Sequence, residues 1–529
     1  MVKKRIDRLA ASSQPGILAG GLKGIEKESL RVDTDGRLAD SPHPRALGSA
    51  LTNPFITTDF SEALLEFVTP AHANTWETLR ALCEIHQFTY ERLGDELLWV
   101  NSMPCLVLGD TDIPLAQYGN SNVGQMKTIY RNGLGYRYGR KMQTIAGVHF
   151  NYSLPARFWP HYKESEQSRQ SDDDFRFEAY MGLVRNFRRM GWLVLYLFGA
   201  SPALCKSFLG DTSTNLKTFN ESTYYEPFGT SLRMSDLGYS NNSQAKLDIS
   251  LNSLKEYVDD LRCAICTSDA GYEKIGVKVN GEYRQLSASQ LQIENEYYSP
   301  IRPKRVARSG ERPTAALRRA GIEYVEVRSL DLNVFDPVGV NQNAMRFTEA
   351  FLIYCLLHES PPMDERCWLE SSRNHSVVAK EGRNPDVRLI RNGEPVTLNA
   401  WAREIIEDVG AIAELIDKGE SGNAYGLAIH AQSSLVENPE ETPSARVLEE
   451  LRHDGTGFFD FAMKCALGHK EYFADLGRLD DDRLKFYENE AAESLARQRK
   501  IEASDTINFD EYLAQYFSDQ GCCQPVPGA

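Results

Sequence analysis

Apolar and polar residues alternate in short runs over roughly the first two thirds of the chain, and three- and four-residue apolar spacing takes over after about residue 344. Alternation predicts strands whose successive side chains point to opposite faces. Over residues 145–153, Ala146, Val148, Phe150 and Tyr152 form an apolar face, while His149, Asn151 and Ser153 share the other. Residues 24–32 pair Glu26 with Glu28, and 322–330 align Tyr324, Glu326 and Arg328 with Val325 and Val327 behind. The same spacing over 291–298 predicts a strand carrying Gln292, Glu294, Glu296 and Tyr298 on one side. Residues 59–68 place Asp59, Glu62 and Glu66 together on either helical or strand spacing. Asn280-Gly281 between two short alternating runs predicts a hairpin. Helices are predicted over 344–357, 399–416 and 444–451, with a solvated, highly charged helix over 478–503. The pattern therefore predicts an α+β body over residues 1–340 and a mainly helical part over 341–529, without a clear linker.

Composition narrows the function. Of 529 residues, 42% are hydrophobic and 25% charged, the balance of a globular protein and not of a disordered one. Acidic residues outnumber basic ones by 74 to 59, a net charge of −15 that disfavours nucleic acid and anionic membrane as partners. The longest stretch without a charge or histidine, residues 190–205, contains Pro202 and is shorter than the ~20 apolar residues of a membrane span, so a buried core element is expected. Asp7 and Arg8 interrupt any apolar leader after Met1, which together with the cysteine usage predicts a cytoplasmic setting. The ten cysteines make no disulfide scaffold, and the lone C-x-x-C of Cys263 and Cys266 is expected to be a pair of core thiols and not a zinc site.

The chemistry is expected where acids accumulate on strand faces. One wet face is ordinary for an antiparallel sheet, and any single segment could be that. The set as a whole is different: so many carboxylates on one face would repel one another unless they share protons or take up cations. Carboxylates with one histidine suit hard ions such as Mg²⁺ or Mn²⁺, and several such ions suit a polyphosphate substrate. The sequence has no P-loop, dinucleotide fingerprint or nucleophile elbow. Arg302, Lys304, Arg305 and Arg308 form a basic run after Tyr298, placed to hold phosphate oxygens, and Arg328 shares a strand face with Glu326. Tyr130, Arg131, Arg233 and Tyr239 lie in segments expected to be turn-rich, and could bind a carboxylate or wall off a small side chain.

Several blocks together resemble one family. Gly24-Ile-Glu26-Lys-Glu28, Asp59-Phe-Ser-Glu62-Ala-Leu-Leu-Glu66, Gly147-Val-His149-Phe-Asn151, Leu232-Arg233, Gln292-Ile-Glu-Asn-Glu-Tyr-Tyr298, Pro300-Ile-Arg302-Pro-Lys304-Arg305 and Glu326-Val-Arg328 occur in an order that resembles the proteobacterial glutamate–cysteine ligases, or γ-glutamylcysteine synthetases. The resemblance implies a glutamine-synthetase-like fold, a curled antiparallel sheet forming a funnel surrounded by helices, with a helical C-terminal part. It implies ATP-dependent ligation of the L-glutamate γ-carboxylate to L-cysteine through γ-glutamyl phosphate, the first step of glutathione biosynthesis. Carried over by position, it implies Mg²⁺ (or Mn²⁺) ligands at Glu26, Glu28, Asp59, Glu66, His149 and Glu326. Arg328 would stabilise the phosphoryl transition state, and Arg233, Gln143 and the Ile145 backbone would hold glutamate. Phe60, Tyr130, Arg131, Leu134, Tyr239 and Tyr298 would form the cysteine pocket. Arg302, Lys304 and Arg305 would contact the nucleotide, and glutathione would act as a feedback inhibitor. Glu62, Glu294 and Glu296 receive no role. The length leaves no room for the extra domain of fused glutathione synthetases. Two alternatives are a related ligase joining glutamate to another amine, and a non-catalytic regulator that binds glutathione or a nucleotide.

Overall fold

A single long strand organises the molecule in its computed structural model, which describes residues 2–11, 16–104, 106–107, 109–238, 247–308 and 310–518. This strand, β1 (Leu22–Val32), is joined by β2 (Ile56–Thr58), β3 (Leu64–Val68), β4 (Leu97–Leu98), β5 (Val148–Ser153), β6 (Ile301–Lys304) and β7 (Tyr324–Leu330). The order is β6-β7-β5-β1-β3-β2, with β4 pairing separately with the end of β1, and every pairing is antiparallel. Among the described residues the sheet stays open.

One face of this sheet is core. Ile25, Val148, Phe150, Tyr152, Val325 and Val327 are almost wholly buried there, as the alternation requires. On that face α1 (Thr75–Tyr90) and α3 (Asp172–Met190) pack against the strands, with α5 (Gln342–Leu357), α6 (Leu398–Asp417) and α7 (Ala424–Glu437) behind them, whereas α2 (Asn122–Tyr138) and the start of α4 (Pro313–Ala320) line the opposite, polar side. The back is not wholly apolar. Lys23 and Glu349 meet at 2.8 Å, both fully buried, and Tyr425 Oη donates to Glu349 at 2.6 Å, tying β1 to α5 and α7. Lys27 contacts Ser29 and His86 on the same side, and burial pushes its pKa down to about 7.

The C-terminal part is helical, continuing through Pro443–Asp454 and Phe458–Asp475 to α8 (Asp481–Ser504) and α9 (Phe509–Ser518). The hairpin at 280–281 is present, with Asn280 and Gly281 both at positive φ (54° and 88°) as a two-residue turn of this hand demands. Residues 190–205 hold the buried helix Trp192–Phe198 and the short strand Ala203–Cys205, and no helix of the described residues is long and apolar enough to cross a membrane.

The first 340 residues mix long helices with the strands, as an α+β body should. Three expectations are corrected. Tyr130 and Arg131 lie on α2 and not in a turn; this 17-residue helix starts at the Ser121 cap but buries only Asn122, Gly124 and Gly133, so it lacks an apolar stripe to announce it. Residues 291–298 form no strand; a 3₁₀ turn at Glu294–Glu296 replaces it. Cys263 is exposed, so the C-x-x-C pair is not wholly in the core.

Candidate active site

The polar side chains of the sheet converge because the register aligns them. Glu26 sits opposite His149, Glu28 opposite Glu66, and Glu326 between Asn151 and Arg302. A register irregularity between Val327 and Leu330 on β7 falls beside Arg328; bulges of this kind re-aim side chains next to sites. Asp59 enters from the turn between β2 and β3, where Arg131 donates to its carbonyl and lies 3.8 Å from its carboxylate. The result is a cavity of about 760 Å³ with the sheet as one wall.

Within it, His149 Nδ1 lies 3.2 Å from Glu26, Asn151 donates to the other Glu26 oxygen at 2.9 Å, and His149 Nε2 is 3.8 Å from Glu28. The Gly147 amide donates to Glu28 at 2.7 Å. Lys304 and Arg328 flank Glu326 at 3.2 Å and 3.3 Å, and Arg328 reaches His149 at 3.5 Å.

The electrostatics separate the acids into two groups. Burial opposes ionisation of Glu326, yet Lys304, Arg328, His149 and Arg302 together hold it well below the usual carboxylate range. Burial likewise opposes ionisation of Glu26, but the His149 hydrogen bond and charge, with Lys304, hold it low. Burial raises Glu28, with Asp59 repelling and His149, Arg233 and Arg328 opposing. Glu66 is pushed well above the usual range by burial and then by Glu26, Asp59 and Glu28, against which Arg131 is a minor relief. Burial and neighbouring acids that raise a carboxyl in this way are the conditions under which a cation would favour its ionised form.

The donor set fits a hard divalent ion. Glu26, Glu66 and His149 each offer one ligand atom, all within 4.8 Å of one another. Glu326 Oε2 is buried and accepts no hydrogen bond. Oxygen donors with one imidazole suit Mg²⁺ or Mn²⁺.

The facing wall is α2 and the turn at 294–296. Tyr130, Arg131 and Leu134 line the cavity along one face of α2, and Gln143, Tyr298, Arg302 and Lys304 line it elsewhere. Gly133 lets the helix approach this turn, since a Cβ there would lie 2.2 Å from Gln292 Oε1. Other expected residues do not line it. Phe60 is buried beside Val107 and Ile113, and the side chain of Ile145, a residue expected to contribute only its backbone, is in the core. Arg233 lies beneath the floor at 2% exposure, donating to the Arg328 carbonyl at 2.9 Å and standing 3.8 Å from Asp331. Arg305 turns away: it lies one residue past the end of β6, and its guanidinium donates to the Ala320 and Gly321 carbonyls. Tyr239 lies outside the described residues. Glu62 accepts from the His43 and Gln117 amides and braces a loop.

Glu294 and Glu296 are struts. Glu296 accepts from Arg137 at 2.9 Å, Tyr138 at 2.6 Å and the Gln292 amide at 2.7 Å. Glu294 binds Arg312 through two bonds at 3.0 Å and 2.9 Å and accepts from Thr314 at 2.5 Å. Sequence reasoning missed Lys127, Arg137, Tyr138, Arg312, Tyr512 and Tyr516 as lining residues. Burial lowers the Lys127 pKa to about 8, with Arg131 adding to the shift. The i,i+4 pair Tyr512 and Tyr516 was the one readable hint in the tail.

The sequence profile of the family described as glutamate-cysteine ligase matches residues 6–378. The chain is 52% identical over 524 residues to the glutamate–cysteine ligase of Alcanivorax borkumensis, covering 98% of this chain and 99% of that one. It is 48% identical to the enzyme of Pseudomonas entomophila, covering 98% and 97%. A crystal structure of glutamate–cysteine ligase from Francisella tularensis, in complex with AMP, superposes with a TM-score of 0.90 at 36% identity, over 96% of this chain and all of that one. The fold also matches a bifunctional glutathione synthetase from Pasteurella multocida, with a TM-score of 0.67 at 24% identity, over 86% of this chain and 52% of that one. The chain thus belongs to the glutamate–cysteine ligase family.

Proposed function

We propose that the protein joins the γ-carboxylate of L-glutamate to the amine of L-cysteine with cleavage of ATP to ADP and phosphate, the first step of glutathione biosynthesis. Family membership supports the activity, and the AMP held by the Francisella relative supports an adenine nucleotide here. The observation that carries the mechanism is the convergence of Glu26, Glu66, His149 and Glu326 from four strands onto one cavity wall.

Glu26, Glu28, Asp59, Glu66, His149 and Glu326 would hold divalent cations, Mg²⁺ or Mn²⁺. Such ions, when bound, neutralise the triphosphate and polarise its γ-phosphorus. Arg328, between Glu326 and His149, is placed to donate to the phosphoryl oxygens as charge develops on them. Lys304 and Arg302, on the adjacent strand, would face the nucleotide; Arg305 would not. The γ-carboxylate oxygen attacks the γ-phosphorus in line, the bond to ADP breaks, and γ-glutamyl phosphate forms. The cysteine amine then attacks the acyl carbon, loses a proton, and phosphate leaves. Tyr130, Arg131, Leu134 and Tyr298 would orient that amine, while Gln143 would hold glutamate and Arg233, from below, would fix the Arg328 backbone. No side chain needs to become acylated.

Glutathione, which contains the product's γ-glutamylcysteinyl part, would compete at the same cavity, and a cytoplasmic location would supply the ATP. Turnover unchanged in millimolar glutathione contradicts the competition. A coupled assay of ADP release, omitting glutamate, cysteine or Mg²⁺ in turn, tests the function itself: each omission should abolish dipeptide formation. Equal rates with alanine or ammonia in place of cysteine would favour a ligase for another amine.

A further inference from the structure

The C-terminal helix α9 lies beyond the residues matched by the family profile, yet two of its side chains, Tyr512 and Tyr516, line the cavity. Its covered positions, Phe509, Tyr512, Leu513, Tyr516 and Phe517, follow i, i+3, i+4, i+7, i+8 spacing, an amphipathic stripe. The helix is fastened from outside. Asp510 accepts from Lys278 at 2.9 Å and from Tyr283 at 2.5 Å, and Phe509 packs edge-on against the Tyr283 ring. Just before it, Asp505 and the Ile507 carbonyl accept from the backbone and side chain of Asn122, the first residue of α2.

Its inner face completes a framework. The Tyr516 ring lies 4.8 Å from the Arg312 guanidinium, which binds Glu294 on two oxygens. Glu294 belongs to the same 3₁₀ turn as Glu296, which takes Arg137 and Tyr138 from α2, and that turn leads directly to Tyr298. One connected set of contacts therefore runs from α9 through Arg312 to both walls of the proposed acceptor pocket. Nothing about catalysis requires this, unless the pocket must be held closed while an acyl phosphate is present.

We propose that Tyr516 is a positioning residue for the acceptor. Through Arg312 and Glu294 it fixes the 294–296 turn and closes the wall beside Tyr130 and Tyr298, so that cysteine intercepts γ-glutamyl phosphate before the intermediate reacts otherwise. This rests on the ligase activity proposed above. The competing reaction is internal. The glutamyl α-amine attacks the γ-carbonyl carbon, the bond from that carbon to the phosphate oxygen breaks, the amine loses a proton, and 5-oxoproline and phosphate are released.

The test uses the full chain and measures ADP, dipeptide and 5-oxoproline together, with KM for each substrate. The unaltered protein should make one ADP per dipeptide. Tyr516→Ala should raise the cysteine KM by about tenfold, the size of losing a cation–π contact in a desolvated setting, with glutamate and ATP constants little changed. Its ADP should exceed its dipeptide, the excess appearing as 5-oxoproline. Tyr516→Phe, which keeps the ring, should behave as the unaltered protein. Asp510→Ala, outside the cavity, should uncouple in the same direction if Tyr516→Ala fails to fold. Strict one-to-one stoichiometry with an unchanged cysteine KM in Tyr516→Ala and Asp510→Ala overturns the inference, as does an equal rise in all three constants. No dipeptide from the unaltered protein would overturn the ligase activity as well, which keeps the two failures distinct.

Discussion

Replacing Glu66 by glutamine should make the cation-free protein more stable while removing its activity. Ligand atoms of Glu66, Glu26 and His149 lie within 4.8 Å of one another. At an effective dielectric of about 20, two unit charges at that separation repel by about 3 kcal/mol. The nearby Arg131 charge offsets part of this, so neutralising Glu66 should return about 1–3 kcal/mol. For a chain of 529 residues, an unfolding entropy of about 2.1 cal/mol/K per residue makes each kcal/mol worth about 1 °C. The expected gain is therefore about 1–3 °C in EDTA at pH 8. The sign with pH follows from the raised Glu66 pKa. Protonation favours the folded state, so that contribution is complete below the ordinary carboxylate value of about 4.3 and is lost as pH rises through the raised folded value. The advantage of glutamine should thus shrink toward acid pH and vanish near the ordinary value. Differential scanning calorimetry with EDTA and then Mn²⁺ reads both effects, and Mn²⁺ should raise the unaltered protein's midpoint more than the variant's. A lower midpoint for Glu66→Gln in EDTA at pH 8 would refute the idea that these carboxylates repel one another when no cation is bound.

Three further outcomes follow from the geometry. Glu326→Gln should fold normally and lose most turnover even at saturating Mg²⁺, measured by ADP release, because its charge is what Lys304, Arg328 and the proposed cation share. Arg305→Ala should leave the ATP KM within about twofold, since that side chain bonds to the Ala320 and Gly321 carbonyls and not to the cavity. Arg137→Met removes the cationic partner of a fully buried carboxylate, leaving it the Tyr138 and Gln292 donors, and should cost about 3–5 kcal/mol, seen as a lower denaturation midpoint, with partial recovery in the Arg137→Met/Glu296→Gln double variant.

Strand alternation carried much of the site. Glu26, Glu28, His149, Glu326 and Arg328 were legible because a period of two puts polar groups on one face regardless of what lies around them. Their order across the sheet was not legible, because pairing between distant segments, such as Glu26 with His149, is set by the tertiary arrangement. The same rule misled at 291–298, where alternating acids come from a turn whose Glu294 and Glu296 each answer an arginine from elsewhere in the chain. Helix α2 escaped notice because a helix that lines a cavity has no apolar stripe to display. Arg305 shows the limit of position alone: one residue past the end of β6, its side chain bonds to the Ala320 and Gly321 carbonyls and not to the cavity. The place of α9 at the cavity needed the folded chain, since Tyr516 and Arg312 are about 200 residues apart.

The central claim is that acids from separate strands hold divalent cations over the nucleotide. Anomalous diffraction from crystals grown with Mn²⁺ and ADP tests it most directly. Peaks should lie at bonding distance, about 2.0–2.3 Å, from oxygens of Glu26, Glu66 and Glu326 and from His149, between those groups and the diphosphate. Peaks elsewhere, or nucleotide bound with no peak between it and these carboxylates, would contradict the account.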